Sequence, residues 1–474
     1  MISDSKIRDR RLYAATLYFL AAFVLTACSG GQSTSSQSES PAERKRANGD
    51  QHVVIISIDG VPADYLWNEE IPLPTIRGLA ENGVWADAMI PSNPTKTWAM
   101  HTTLATGVHP GKHRVLTNGM FTQVNGRRFV YKNDLDRDQL TTQPTVYDHA
   151  HEAGLRTAGI NWPVTRNAST LDDNFPDSPN TLPNITPQLK AELTGQGLLS
   201  DSANADYPFA SPADADYTWT SSATHLIENR TPDLLLFHLL NVDTIHHRHE
   251  TSSWPAYTAM SHADTQVHRI LDALESAGIR DQTAIFVVSD HGMVHHDMTV
   301  RPNVLLREEG LLKANADSTV DQARVQVMDN GGSAMVFATE QARAGDLEQA
   351  RSILEDAEGI ARVVGPESYD EYSLPMPEEE PRMGDLFLDA APGYAFGSAA
   401  KGNYLVSVDE PSAKHGHSNR LSDLNTLFVA SGSGIRSNDT LDTVDMRSVA
   451  PTAARLLGLE MESADGEVLE SILQ

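Results

Sequence analysis

The sequence predicts an α/β protein, with a central, mostly parallel sheet, helices on both faces and loop-rich insertions. Three observations carry this. Strand-like apolar runs alternate with helix-like segments at residues 52–106, 146–160, 234–308 and 426–458. Three of the runs, His52–Ile58, Leu234–Leu240 and Thr283–Ser289, are continuously apolar or nearly so, as strands buried on both faces are. Each leads within a few residues to an aspartate, and ligands of open α/β sheets collect at the carboxyl ends of strands.

The N-terminus is a separate object. Lys6, Arg8, Arg10 and Arg11 precede a largely apolar run from Leu12 to Ala27, the pattern of a secretory signal. It closes with Leu25-Thr-Ala-Cys28, which looks like a bacterial lipoprotein cleavage site. Residues 1–27 therefore read as a signal peptide and Cys28 as the lipidated residue. The competing reading is a plain membrane anchor, for which a run of about sixteen residues is short. Residues 28–50, rich in Ser, Gln and Gly, read as a flexible tether. The expected location is the cell envelope, with the chain held to a membrane by its lipid and facing the periplasm or the cell surface. Cys28 is the only cysteine, so no disulfide can form within the chain.

Residues 51–474 are long for one domain but within reach of a large α/β domain with insertions. His52–Ile58 is the first strand and Asp59-Gly60 follows it. Thr97 opens a helix expected over Trp98–Ala105, and Asn161-Trp162-Pro163 follows a strand at Leu155–Ile160. Residues 163–230, rich in Pro, Asn, Asp and Ser, read as a loop-rich insertion above the site. Leu234–Leu240 leads to Asp243, with His247 four residues on. A helix over Tyr257–Ala277 has one apolar face at Met260, Ala263, Val267, Ile270, Leu271 and Leu274. Thr283–Ser289 runs into Asp290-His291-Gly292, and residues 317–413 read as a second insertion of strands and turns.

Seven residues then make one chemical set: Asp59, Thr97, Asp243, His247, Asp290, His291 and His415. Three carboxylates, three imidazoles and a hydroxyl suffice to hold two divalent cations around a nucleophile. A single strand-end Asp is an ordinary turn former. Three of them, two with a histidine one or four residues on, are not. Thr97 at a helix start can be an N-cap, or a nucleophile beside N–H groups that favour a phosphoryl anion. His246, His249, His295, His296 and His417 flank the motifs, as outer supports or solvated loop residues. For His101, His109 and His113, packing or helix-end hydrogen bonding is the better reading. Lys96 either touches a phosphate or faces water.

The segment Asn93-Pro-Thr-Lys-Thr97-Trp-Ala-Met-His101, continuing to Thr106-Gly107 and Pro110-Gly-Lys-His113, resembles the nucleophile region of the nucleotide pyrophosphatase/phosphodiesterase family of the alkaline phosphatase superfamily. Ala99-Met100 stands where that pattern has Pro-Asn. Asp243-x-x-x-His247, Asp290-His291-Gly292 and His415-Gly416 match the metal motifs in order, and Arg382–Leu386 and Ala391–Phe396 also look alike. The resemblance implies an alkaline-phosphatase-like domain with two divalent metal ions, zinc (Zn2+) foremost. Asp59, Thr97, Asp290 and His291 would hold the metal that activates Thr97; Asp243, His247 and His415 would hold the other. It further implies a phosphothreonine intermediate, Asn118 as a phosphoryl-binding amide, and Trp98 as one wall of a nucleobase slot. Trp162 would supply the facing wall; the competing reading is that both tryptophans pack in the core.

The net charge of −28 becomes −30 once residues 1–27, with four positive and two negative side chains, are removed. Such a surface repels long polyanions and argues against a nucleic-acid polymer as substrate, though not against a small phosphodiester or nucleotide. The expected activity is metal-dependent hydrolysis of phosphodiester or pyrophosphate bonds. The alternatives are a phosphomonoesterase or phosphonate hydrolase of the same superfamily, and a lipid-anchored protein that binds metal or phosphate without turnover. A sulfatase is disfavoured, because no Cys/Ser-x-Pro-x-Arg surrounds the nucleophile.

Overall fold

The computed structural model describes residues 51–177, 179, 181–199 and 209–474. The expected signal peptide, Cys28 and the tether lie outside these residues. Among the described residues no helix is long and apolar enough to cross a membrane. The largest sheet has eight strands: β1 (His52–Ile58), β2 (Val84–Ile90), β3 (Thr157–Ile160), β4 (Asp173–Phe175), β5 (Leu234–Leu239), β6 (Thr283–Val288), β7 (Phe428–Gly432) and β8 (Asp439–Asp445). Their order is β8-β2-β7-β6-β1-β5-β3-β4, and β7 alone runs antiparallel to its neighbours.

Every residue of β1, β5 and β6 is buried, as continuous apolar runs require when both faces are covered. The two faces alternate residue by residue. Val54, Ile56, Ile58, Phe237 and Val287 meet helices Pro74–Glu81, Pro212–Arg230 and Trp254–Ser276. Val53, Ile55, Leu236, Phe286 and Val288 meet helices Thr97–Thr106, Val146–Glu152 and Val449–Leu456. Burying one such side chain contributes roughly 1.5–3 kcal/mol. The register pairs Ile58 with Leu239 and Ser57 with Val288, so β1, β5 and β6 end nearly level. That level edge carries the site.

Helix Trp254–Ser276 starts three residues before the expected point, because Ser253 accepts the Ala256 N–H and Pro255 occupies the first turn. The stretch 163–230 is not mainly loop. It supplies β4 to the central sheet, and its 19-residue helix Pro212–Arg230 buries Ala215, Trp219, Ala223 and Leu226 against the core. Polar Asp, Ser and Thr between those positions hide the helical spacing. Within 317–413 the expected strands form a four-stranded antiparallel sheet, Val325–Asn330, Ser333–Ala338, Leu386–Ala390 and Ile360–Val364 in spatial order. Helix Asp346–Glu355 packs with it around a separate apolar cluster.

Candidate active site

Each site residue sits where the fold changes direction. Asp59 follows β1, and Asp290 and His291 follow β6 one residue beyond Ser289. Asp243 lies in the short helix Asn241–His246 after β5, with His247 as its C-cap. His415 follows the strand Leu405–Lys414, and Thr97 is the first residue of helix Thr97–Thr106. Gly60 is required between them: its φ is +72°, and a Cβ there would lie 3.1 Å from that of Asp243.

The ligand atoms of Asp243, His247 and His415 lie within 4.8 Å of one another, as do those of Asp59, Asp243 and His291. Asp243 therefore stands between two clusters. Asp290 Oδ2 is 3.1 Å and Asp59 Oδ1 3.3 Å from His291 Nε2. The rings of His291 and His415 stack at 3.7 Å. All three imidazoles turn Nδ1 to a main-chain carbonyl: His247 to Ala413 at 3.1 Å, His291 to Gly292 at 3.2 Å and His415 to Thr95 at 2.8 Å. The Nδ1–H donates there, which leaves each Nε2 lone pair facing the pocket, as metal-binding histidines are arranged.

The electrostatics ask for cations. Burial raises the Asp59 carboxyl well above the ordinary carboxylate range, and Asp243 adds repulsion. Burial and then Asp59 do the same to Asp290. At Asp243 burial pushes the same way, but His247, His291, His246 and Lys96 together make the net shift downward. Burial pushes His291 down to about 3, His415 well below its ordinary value, and His247 downward. Buried oxygens Asp59 Oδ1, Asp243 Oδ1 and Asp290 Oδ2 have no hydrogen-bond partner. Neutral imidazoles facing unpartnered buried carboxylate oxygens fit divalent metal ions and little else.

Thr97 does not cap its helix. Lys96 occupies the cap position without a side-chain bond, and Asn118 Oδ1 accepts the Trp98 N–H at 3.0 Å from outside. The Thr97 hydroxyl is left 3.4 Å from His291 Nε2. Lys96 is half-buried; desolvation pushes its ammonium down to about 8, against the pull of Asp243. Trp98 is 7% exposed and packs with Val115, Leu135, Leu140 and Val164 around a void of only about 10 Å³, and its ring N–H donates to Asp177 at 2.8 Å. Trp162 does not form a facing wall. It is 1% exposed, packed edge-on against His101 at 4.9 Å within the core, so the packing alternative holds for it.

Sequence reasoning missed His238 and Asp216. His238 sits in the apolar run of β5 with Nε2 3.2 Å from Asp59 Oδ2; a histidine inside a buried strand was the available signal. Asp216 accepts the Leu240 and Asn241 N–H groups at 2.9 and 3.2 Å, holding the start of the helix that bears Asp243. Burial raises its carboxyl to about 7. His246 bridges the Gly60 carbonyl and the Tyr65 hydroxyl at 3.1 and 2.8 Å. His101 holds the Thr97 carbonyl at 2.8 Å. His109 and His113 bond to Ser92 and Thr103, and His296 and His417 to Ser412 and the Tyr394 carbonyl. His295 pairs with Asp297 at the exposed rim, and His249 is half-buried.

Comparison with known proteins agrees with this geometry. The chain is 22% identical over 479 residues to rat (Rattus norvegicus) ectonucleotide pyrophosphatase/phosphodiesterase family member 7, covering 98% of this chain and 94% of that protein. It is 27% identical to an uncharacterized pyrophosphatase/phosphodiesterase of Schizosaccharomyces pombe, over 51% of this chain and 44% of that protein. Murine ectonucleotide pyrophosphatase/phosphodiesterase 5 shares the fold, with a TM-score of 0.67 at 17% identity over 90% of this chain and 100% of that one. A second structure of that murine protein is an inactive variant in complex with AMP. The family model for type I phosphodiesterase / nucleotide pyrophosphatase matches residues 53–418. With the fold, the metal-fitting clusters and the freed threonine in agreement, the chain belongs to the type I phosphodiesterase/nucleotide pyrophosphatase family and is a hydrolase of that class.

Proposed function

We propose that this enzyme cleaves small nucleotide diesters and pyrophosphates to a nucleoside monophosphate, through phosphate carried on Thr97. The observation that carries the reading is the Thr97 hydroxyl, released from capping by Asn118 and aimed at His291 at the edge of both clusters. Asp59, Asp290, His291 and the Thr97 hydroxyl would hold one divalent cation, and Asp243, His247 and His415 the other, with zinc suited to this nitrogen–oxygen donor set. Bound there, the cations supply charge that favours the ionised hydroxyl and offsets charge on the leaving oxygen. The N-terminus of helix Thr97–Thr106 lies beside the Thr97 hydroxyl and favours phosphoryl oxygens there. Asn118 and Lys96 lie beside this helix start, and Trp98 supplies the ring on which the base stacks.

Thr97→Ala should lower kcat/KM by at least about a thousandfold while metal content stays near wild type. A brief acid quench of wild type with substrate should leave phosphate on Thr97. Near-normal turnover in the variant overturns the reading. A wild-type preference for p-nitrophenyl phosphate over bis(p-nitrophenyl) phosphate would favour the monoesterase alternative instead.

The N-terminal pattern supports a lipid anchor on Cys28 that places the enzyme at the cell envelope. Multiple acyl chains anchor a protein firmly where a single one does not. Cys28→Ser should lose lipid labelling and leave the membrane fraction or stay uncleaved; wild-type fractionation and migration would overturn the anchor.

A further inference from the structure

We infer that His238 is a positioning residue that fixes which oxygen of Asp59 faces the metal pocket, and that Asn161 anchors the far side of the His238 ring. The inference rests on the metal reading of the site. His238 is 1% exposed and Asn161 0%, so neither exchanges its partners with solvent. His238 Nε2 lies 3.2 Å from Asp59 Oδ2, while Asp59 Oδ1 is the oxygen left without a hydrogen bond and close to His291. On its other side, His238 Nδ1 lies 3.2 Å from Asn161 Nδ2 and 3.0 Å from the Asn161 carbonyl.

The contact to Asp59 decides where a proton must sit. A proton on Nδ1 alone would satisfy the carbonyl but leave a bare Nε2 lone pair against a carboxylate oxygen. A proton on Nε2 lets the ring donate to Asp59 Oδ2, while Nδ1 meets Asn161 by its amide or its carbonyl. The Asn161 amide also donates to the His238 carbonyl at 3.2 Å, which ties it to β5. Asn161 reaches this position only by holding a φ of +56° directly after β3, a conformation that asparagine tolerates better than most residues. Asp59 is thereby gripped by one oxygen and presents the other. The unforeseen partner of Asp59 and the Asn161 that follows β3 thus have one shared role.

The test is zinc titration of the full-length protein against a chromophoric chelator. His238→Leu should weaken one zinc by about 10–100-fold and leave the other within about twofold. His238→Gln, which returns an N–H near the place of Nε2, should recover most of the loss. A merely structural role would weaken both zincs alike and would not be rescued by glutamine. Asn161→Gly, which keeps the positive φ and removes the amide, should weaken the same zinc less. In 15N-histidine spectra the signal missing from His238→Gln should carry a proton on Nε2; a bare Nε2 overturns the inference. Two tight zincs in wild type, unchanged in His238→Leu, overturn it alone. A wild type that binds no zinc overturns this inference and the metal reading together.

Discussion

The two halves of the active site differ in enclosure. The side chains of Asp59, Asp290 and His291 are 0% exposed, and His101 and His238 lie directly behind them. In the other half the His247 side chain is 28% exposed, with Asp243 at 10% and His415 at 4%. The difference assigns tasks. A buried half backed by further polar side chains can keep a nucleophile in one geometry. A half that opens to solvent can admit water and let the leaving group depart.

The largest expected effect tests that division directly. Alanine at Asp59 or Asp290 should remove one metal and lower kcat/KM by at least about a thousandfold, whereas His247→Ala should cost roughly a hundredfold, because water can replace a solvent-facing ligand. Elemental analysis with steady-state kinetics checks this. Equal losses in the two halves would break the comparison. A smaller effect is kinetic: excess chelator should strip metal in two phases, and His247→Ala should speed only the faster one. A single phase in wild type would mean that enclosure does not govern exchange.

Trp98 sharpens the picture on the substrate side. Stacking of a base on an aromatic ring is worth about 1–3 kcal/mol. Trp98→Ala should therefore raise KM for nucleotides by about 5–150-fold and leave bis(p-nitrophenyl) phosphate nearly unchanged. Equal weakening of both substrates would place Trp98 in the framework alone.

The smallest effect lies on stability, in the helix that carries Thr97. Burial pushes His113 down to about 3, and its ring bonds Thr103 at 3.0 Å. The unfolded chain takes this proton near the ordinary histidine value of about 6.5, and the folded chain does not until much lower pH. The contribution is therefore full above pH 6.5 and lost as pH falls, by up to about 1.4 kcal/mol per unit. Melting curves between pH 7 and 5 should fall less steeply for His113→Gln than for wild type; identical slopes would contradict it.

What the sequence could show depended on how each residue was framed. Asp59 and Asp290 were legible because unbroken apolar strands end on them, and Asp243 with His247 because their spacing suits one short helix. His238 was hidden because β5 reads as apolar throughout and the partner that explains it is 179 residues away. Trp162 was misjudged for a related reason: a tryptophan just after a strand can turn to the mouth or to the core, and only the packing of His101 decides. Helix Pro212–Arg230 was masked by its own composition, since its apolar stripe is narrow and set among Asp, Ser and Thr.

The level edge of β1, β5 and β6 also has a consequence for biosynthesis. The residues it gathers run from Asp59 to His415, about 350 positions apart. No fragment that stops before His415 can complete the Asp243, His247 and His415 cluster, so full metal loading must wait until His415 has been made. Contacts this distant in sequence also form slowly. The nascent chain thus carries Asp59, Asp243 and His247 for a time without the histidine that completes their site.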